Sequence, residues 1–245
     1  MKKVDAYWEK QNFNKKVLEV EFEMDDSLDC LGTLQGDFLN YNYIVAKVPK
    51  CKIELLHELE EFGFRFVETQ MEMAMNLRKL NKSLQLTMKK VDKLKFEIVN
   101  NIEHLERVLA QIDEDLFVTD RISLDPLLGN KIAHKRYINW IRDSFDREDT
   151  LIIEVLDKED RVGFFYFTEK DNQIIQAVLA SVYKTFRRRG VGLEFLQQAL
   201  YWLVEMGYTK ATTKVSSNNL EALRANLSVG LEVKGIYYIL RKSMG

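Results

Sequence analysis

Three apolar runs, Leu151 to Leu156, Val162 to Phe167 and Ile174 to Tyr183, are separated only by the charged connections Asp157-Lys158-Glu159-Asp160 and Glu169-Lys170-Asp171-Asn172. Connections this short join neighbouring antiparallel strands, so the stretch reads as a β-meander. Beyond it the period changes. Gly190 to Met206 reads as a helix whose buried stripe is Leu193, Leu196, Leu200 and Leu203, stopped by Gly207. Lys210 to Val215 then reads as a strand, Leu220 to Val229 as a helix and Val233 to Leu240 as a last strand. The class is therefore α/β (α+β) with a mixed central sheet.

Upstream of the meander, Glu97-Ile98-Val99 is a short strand. Ile102, Leu105, Val108, Leu109 and Ile112 trace an amphipathic helix, and Ile132, Tyr137, Trp140 and Ile141 share a face of another. Further towards the N-terminus, Tyr41 to Val48 alternates like a strand that Pro49 ends, Ile53, Leu55, Leu56 and Leu59 fall on a helical stripe stopped by Gly63, and Phe64-Arg65-Phe66-Val67 resumes as a strand. The charged stretch from Met71 through Lys95 fits either a helix or an exposed strand, and the domain boundary is placed near its end: a smaller strand-helix-strand domain over 1–95 and a larger one over 96–245. Helices that end at Gly63 and at Gly230 before apolar strands form a weak internal echo, which common helix-strand punctuation explains equally well.

Composition closes off several classes of function. With 46% hydrophobic residues the 245-residue chain can bury a large core, and a formal net charge of -2 gives no overall field for nucleic acid or an anionic membrane. Any anion site must be local. Cys30 and Cys51 sit in no CxxC or Cys/His cluster, so neither a zinc site nor a disulfide framework is expected. Without an apolar leader or a run of about eighteen apolar residues, the expectation is a soluble cytoplasmic protein that uses no metal.

The local anion site is Arg187-Arg188-Arg189-Gly190-Val191-Gly192, placed between a strand and a helix. A helix N-terminus offers unpaired N–H groups and partial positive charge to a phosphate. Gly190 and Gly192 remove the Cβ atoms that would hold a diphosphate away, and the arginines add charge. A solvated basic turn is the plainer reading of such a string. It has neither the third glycine of a dinucleotide fingerprint nor the GK[ST] of a nucleotide-triphosphate loop.

From about residue 96 to 242 the chain resembles the GNAT superfamily of acyl-CoA-dependent N-acyltransferases. Arg187, Gly190 and Gly192 match its [RQ]xxGx[GA] motif, Val182 the valine of the preceding strand, and Asn219, Ala222 and Gly230 a second segment in which Leu231 replaces the usual Phe. The resemblance implies acetyl-CoA or another short acyl-CoA as co-substrate. Pantetheine would bind the main chain of Ser181 and Val182, and pyrophosphate the amides from Arg188 to Leu193, Arg189 and Val191 included. Asn219 would lie near the arm or simply cap the helix that follows. Many members carry a tyrosine seven residues beyond that asparagine to protonate the thiolate. Here Asn226 stands there, able to donate a hydrogen bond to sulfur but not a proton, so Tyr183, Tyr237, Tyr238 or solvent must serve.

Asp120, Arg121 and Tyr137 lie where the family builds its acceptor pocket. With the N-terminal segment they are similar to the dTDP-fucosamine acetyltransferase group, implying a nucleotide-linked amino-deoxysugar as acceptor. A protein N-terminus, a small amine or an aminoglycoside are the alternatives within acyl transfer, and a catalytically silent acyl-CoA-binding module is the alternative outside it. No nucleic-acid or membrane partner is expected; assembly is left open, a homodimer being one option.

Overall fold

The computed structural model describes residues 1–80, 94–187 and 189–244. Among the described residues ten strands form one mixed sheet: β1 (Lys2–Asp5), β2 (Val17–Glu21), β3 (Tyr43–Pro49), β4 (Arg65–Asn76), β5 (Lys95–Ile98), β6 (Thr150–Asp157), β7 (Asp160–Asp171), β8 (Ile174–Val182), β9 (Lys210–Ser216) and β10 (Glu232–Ser243). Their spatial order is β1-β2-β3-β10-β4-β9-β8-β7-β6-β5. Helices are α1 (Lys10–Phe13), α2 (Cys30–Asp37), α3 (Ile53–Glu61), α4 (Ile102–Leu109), α5 (Arg121–Leu124), α6 (Asn130–Ser144), α7 (Gly192–Glu205) and α8 (Leu220–Ser228).

The expected meander is β6-β7-β8, antiparallel throughout. Several details differ from the sequence reading. β3 does not alternate: all seven residues are buried, because neighbouring strands and covering segments enclose it on both faces, and Pro49 is its last residue, paired with Tyr237. Leu193 of α7 is exposed, and the buried stripe is Phe195, Ala199, Leu200 and Leu203 with Gln198 beside it. Of the ambiguous stretch, the first part is strand β4 and then a 3-10 turn that buries Leu77 and Leu80. Residues 81–93, with Leu84 and Leu86, lie outside the described residues, and Lys95 opens β5. β1, β2 and α2 had no counterpart in the sequence reading.

The units β3-α3-β4 and β9-α8-β10 have identical element lengths and a constant offset, Tyr43 matching Lys210, Ile53 matching Leu220, Gly63 matching Gly230 and Arg65 matching Glu232. Both glycines hold positive φ, +83° and +96°, a left-handed C-terminal stop that costs other L-residues about 1–2 kcal/mol. The pairing obeys the same correspondence: Tyr237 faces Pro49 as Gln70 faces Ser216, and Gln70 and Tyr237 face each other. An approximate two-fold axis therefore passes between β4 and β10, and each unit lends its last strand to the space beside the other's first strand.

Met73, Ala211, Val215 and the stripe of α7 form the core on one face of the sheet. Ile152, Phe164 and Tyr166 pack with α4 and α6 on the other face. On β4, strand alternation turns Glu68, Gln70 and Glu72 away from Met71 and Met73, onto the face of α4, α5 and α6.

Candidate active site

β8 and β9 run parallel but pair only from Ile174 with Lys210 to Ala177 with Thr213. Beyond that the strands separate, leaving Val178–Val182 with no ladder partner on the β9 side. The divergence begins at a bulge. Leu179 pairs with Tyr166 and Ala177 with Phe167, so Val178 has no partner on β7. On the other edge, Gly163 lets β7 approach closely, since a Cβ there would overlap the Ser181 carbonyl. The Tyr183 N–H donates to the Val162 carbonyl at 2.7 Å, which fixes the ladder phase: main-chain groups of Ser181 face β7, and those of Ala180 and Val182 face the gap. Of the two main-chain positions expected to meet pantetheine, Val182 thus faces the cleft. Ser181 is turned into the sheet, and its hydroxyl donates to Val182 O at 3.1 Å.

After β8 the chain makes a tight turn, with the N–H groups of Phe186 and Arg187 both donating to Tyr183 O, and enters α7. Val191 is the N-cap of α7 and makes no side-chain capping bond, so the amides of Gly192, Leu193 and Glu194 have no partner inside the helix. Gly190 has φ +78°, and Cβ atoms built on Gly190 or Gly192 meet nothing within 4 Å. The loop is an open cradle of donors at the positive end of a helix.

The arginines divide the work differently from the sequence reading. Arg187 is a brace: its Nε donates to Val182 O at 3.0 Å and its Nη2 lies 3.4 Å from Asp113 Oδ2. The guanidinium holds the loop against β8, while its Nη2 is buried without a hydrogen-bond partner among the described residues and the residue lines the cleft. Arg189 is exposed and stacks over Phe186 at 5.1 Å, and Arg188 lies outside the described residues. The equivalent N-terminal place lacks both features of the cradle. β2 pairs with β3 along its whole length, and the segment after it carries Glu23, Asp25, Asp26 and Asp29 where the later one carries arginines.

From this gap a cleft of about 2390 Å³ continues across the face of β9, β4 and β3, lined by residues of both halves. Asn219 caps α8 by accepting from Ala222 N at 3.0 Å while lining the cleft, which accounts for its side chain without a ligand. Asn226 also lines it, but its amide donates to Ala222 O at 2.8 Å. Tyr183 is buried and donates to Glu154 Oε1 at 3.0 Å; burial first, and that carboxylate second, hold its phenol above the ordinary range. Tyr237 lies under Lys47 and Tyr238 packs on Phe66. Among the described residues lining the cleft, the tyrosines are Tyr7 and Tyr137, so Tyr183, Tyr237 and Tyr238 lose their geometric case as thiolate donors.

Asp120, Arg121 and Tyr137 do meet in this cleft. Asp120 caps α5, its Oδ1 accepting from Ile122 N at 2.8 Å and Ser123 N at 2.9 Å. Arg121 pairs with Glu19 of β2. Tyr137 stacks near Trp140, over which Arg136 lies at 4.9 Å while its Nε holds Glu9 at 2.6 Å. On the floor, Lys47 bridges Glu21 and Glu72 at 2.7 Å each, with Lys214 3.5 Å from Glu72. Burial, and then the Lys47 charge, lower the pKa of Lys214. Glu68 was missed in the sequence. It is 2% exposed, and burial pushes its carboxyl up to about 7. The signal was present as the alternation Glu68-Thr69-Gln70-Met71-Glu72-Met73, a carboxylate or amide at every second place of a strand otherwise built for a core.

The profile of the Acetyltransferase (GNAT) family matches residues 116–226, the span from the cleft wall through β8 and the α7 cradle to Asn226. Residues 116–226 are thus similar to a GNAT acetyltransferase domain. No curated protein matches the chain by sequence. Among solved structures, it is similar to a GCN5-related N-acetyltransferase from Sphaerobacter thermophilus (TM-score 0.60, 16% identity, 93% of this chain and 73% of that one). It is similar too to a functionally unknown conserved protein from Staphylococcus epidermidis (TM-score 0.61, 15% identity, 93% and 83%). A tandem GNAT protein from the clavulanic acid biosynthesis pathway also aligns (TM-score 0.56, 10% identity, 94% and 75%). At these identities the likeness is one of fold, and it extends over both halves of the chain. Nothing in it bears on a nucleotide-sugar acceptor. Among the described residues, no cluster of three or more His, Cys, Asp or Glu is placed to hold a metal, and no helix is long and apolar enough to cross a membrane.

Proposed function

We propose that the chain transfers an acetyl group from acetyl-CoA to a primary amine held on the polar face of β4 and β9. The observation that carries this reading is the continuity of one cleft: an unpaired β8 edge, an uncapped α7 N-terminus and a charged floor open into the same space. Pantetheine would pair with Ala180 and Val182 as an added strand. The diphosphate would rest on the amides of Gly190 to Leu193, and the bulge at Val178 supplies a main-chain N–H to polarise the thioester carbonyl. Direct attack by the amine needs no covalent enzyme intermediate, and much of the acceleration comes from holding both reactants in register.

For the acceptor we propose a nucleotide-linked amino-deoxysugar. Its support is the lining, with Trp8, Tyr137 and Trp140 to stack on a base and Lys10 to meet a diphosphate. Mass spectrometry of acetyl-CoA reactions with amino-sugar nucleotides, peptide N-termini, polyamines and aminoglycosides tests this. An acetylated amino-sugar nucleotide is expected. Acetylation of another amine alone would overturn the acceptor assignment, and acetyl-CoA binding with no acetylated product from the panel would favour the silent module.

A further inference from the structure

Three buried polar atoms along one wall of the cleft have no hydrogen-bond partner among the described residues: Glu68 Oε2, Asp120 Oδ2 and Arg121 Nη1. Their residues all line the cleft, and each is held from its other side: Asp120 by the α5 amides, Arg121 by Glu19, and Glu68 by its rigid central strand, opposite Ile239. An orphaned buried acceptor costs about 1–3 kcal/mol, so two acceptors and one donor orphaned on residues of a single cleft wall mark that wall as a place for a ligand that carries donors and an acceptor. A protonated amine with a neighbouring oxygen has that pattern.

We infer that Glu68, contributed by the N-terminal half, is the base that removes the proton from the acceptor ammonium, with Asp120 and Arg121 positioning it. This rests on the acetyl-transfer reading above. The ammonium gives one proton to the Glu68 carboxylate, and the freed lone pair forms the C–N bond at the thioester carbonyl. The C–S bond then breaks, the thiolate takes the remaining surplus proton from nitrogen, and Glu68 returns its proton to water. The charged and polar groups around the carboxyl are Asp120 and Arg121 of α5, Ser216 of β9 and, through Arg121, Glu19 of β2. Burial is the largest influence, Asp120 adds to it, and Ser216 and Arg121 oppose it, which leaves a carboxyl poised near neutrality, where a base is most effective.

The test is Glu68→Gln, assayed by thiol release with whichever amine the acceptor screen identifies. We expect kcat/KM at pH 7 to fall at least about 100-fold, within the range of general-base catalysis, with acetyl-CoA affinity within twofold of the parent. The rise of kcat/KM with a midpoint near pH 7 should vanish in Glu68→Gln and persist, displaced, in Glu68→Asp. Infrared difference spectra between pH 6 and pH 8 should lose a protonated-carboxyl band in Glu68→Gln. Activity within threefold of the parent, or an unchanged pH midpoint in Glu68→Gln, overturns the assignment of Glu68 alone. Absence of acetyl-CoA binding to the parent chain overturns the acetyl-transfer reading instead.

Discussion

Replacing Gly190 by valine should separate the backbone of the α7 cradle from its charge. Gly190 has φ +78°, a region that costs an L-residue about 1–2 kcal/mol and a β-branched one more, yet its Cβ would meet nothing within 4 Å. The fold should therefore survive with a small loss of stability. The methyl groups would instead occupy the space above the amides of Gly190 to Leu193, where the diphosphate is expected. Charge-assisted hydrogen bonds contribute about 1.5–3 kcal/mol each, so losing two weakens acetyl-CoA binding by about 3–6 kcal/mol, a hundredfold or more. Arg189 is exposed and stacked on Phe186, so Arg189→Ala should cost at most about 1 kcal/mol, roughly fivefold. Calorimetric titration of both variants with acetyl-CoA measures the contrast. Gly190→Val binding within threefold of the parent, with its fold intact, would refute the cradle.

Arg187→Ala removes the brace on Val182 and the pair with Asp113, so the thermal midpoint should fall along with acetyl-CoA affinity; lost affinity at an unchanged midpoint would mean that Arg187 touches the ligand after all. Glu68→Gln should alter how stability depends on pH. Because the folded-state pKa is raised from the usual 4.5 to about 7, the native state loses stability as pH climbs through that window, by at most about 3 kcal/mol. Glu68→Gln removes the loss, so its melting temperature should match the parent below pH 4.5 and exceed it at pH 8, as scanning calorimetry would show. Tyr183→Phe, Tyr237→Phe and Tyr238→Phe should keep thiol-release rates within tenfold, none of them lining the cleft, and Asn226→Ala should cost about one order of magnitude or less.

The β8-loop-α7 unit was legible because its signals are local: two glycines one residue apart at a change of hydrophobic period, after a meander set by short charged turns. The two-fold exchange of β4 and β10 was not, because Gln70 and Tyr237 meet across most of the chain and no local pattern encodes the partner of a strand. The Gly63 and Gly230 echo was its one visible trace. Sequence also names a residue type without a direction. Three arginines in a row read equally as phosphate ligands, yet Arg187 turns inwards to Val182 O. Asn219 matched a motif and serves as a helix cap, while Ser181 and Val182, adjacent in sequence, point to opposite edges of β8. Glu68 escaped because a carboxylate in an apolar strand reads as the solvent side, and only the cleft wall of α5 makes that side an interior.

The most direct measurement is transfer itself. Acetyl-CoA carrying ¹³C in its acetyl group is supplied with the acceptor panel, and released thiol and labelled N-acetyl product are quantified in the same sample. Acetyl transfer through the β8–β9 cleft predicts equal amounts of the two, with both lost in Gly190→Val. Thiol released without labelled amide, or labelled amide formed equally well by Gly190→Val, would contradict it.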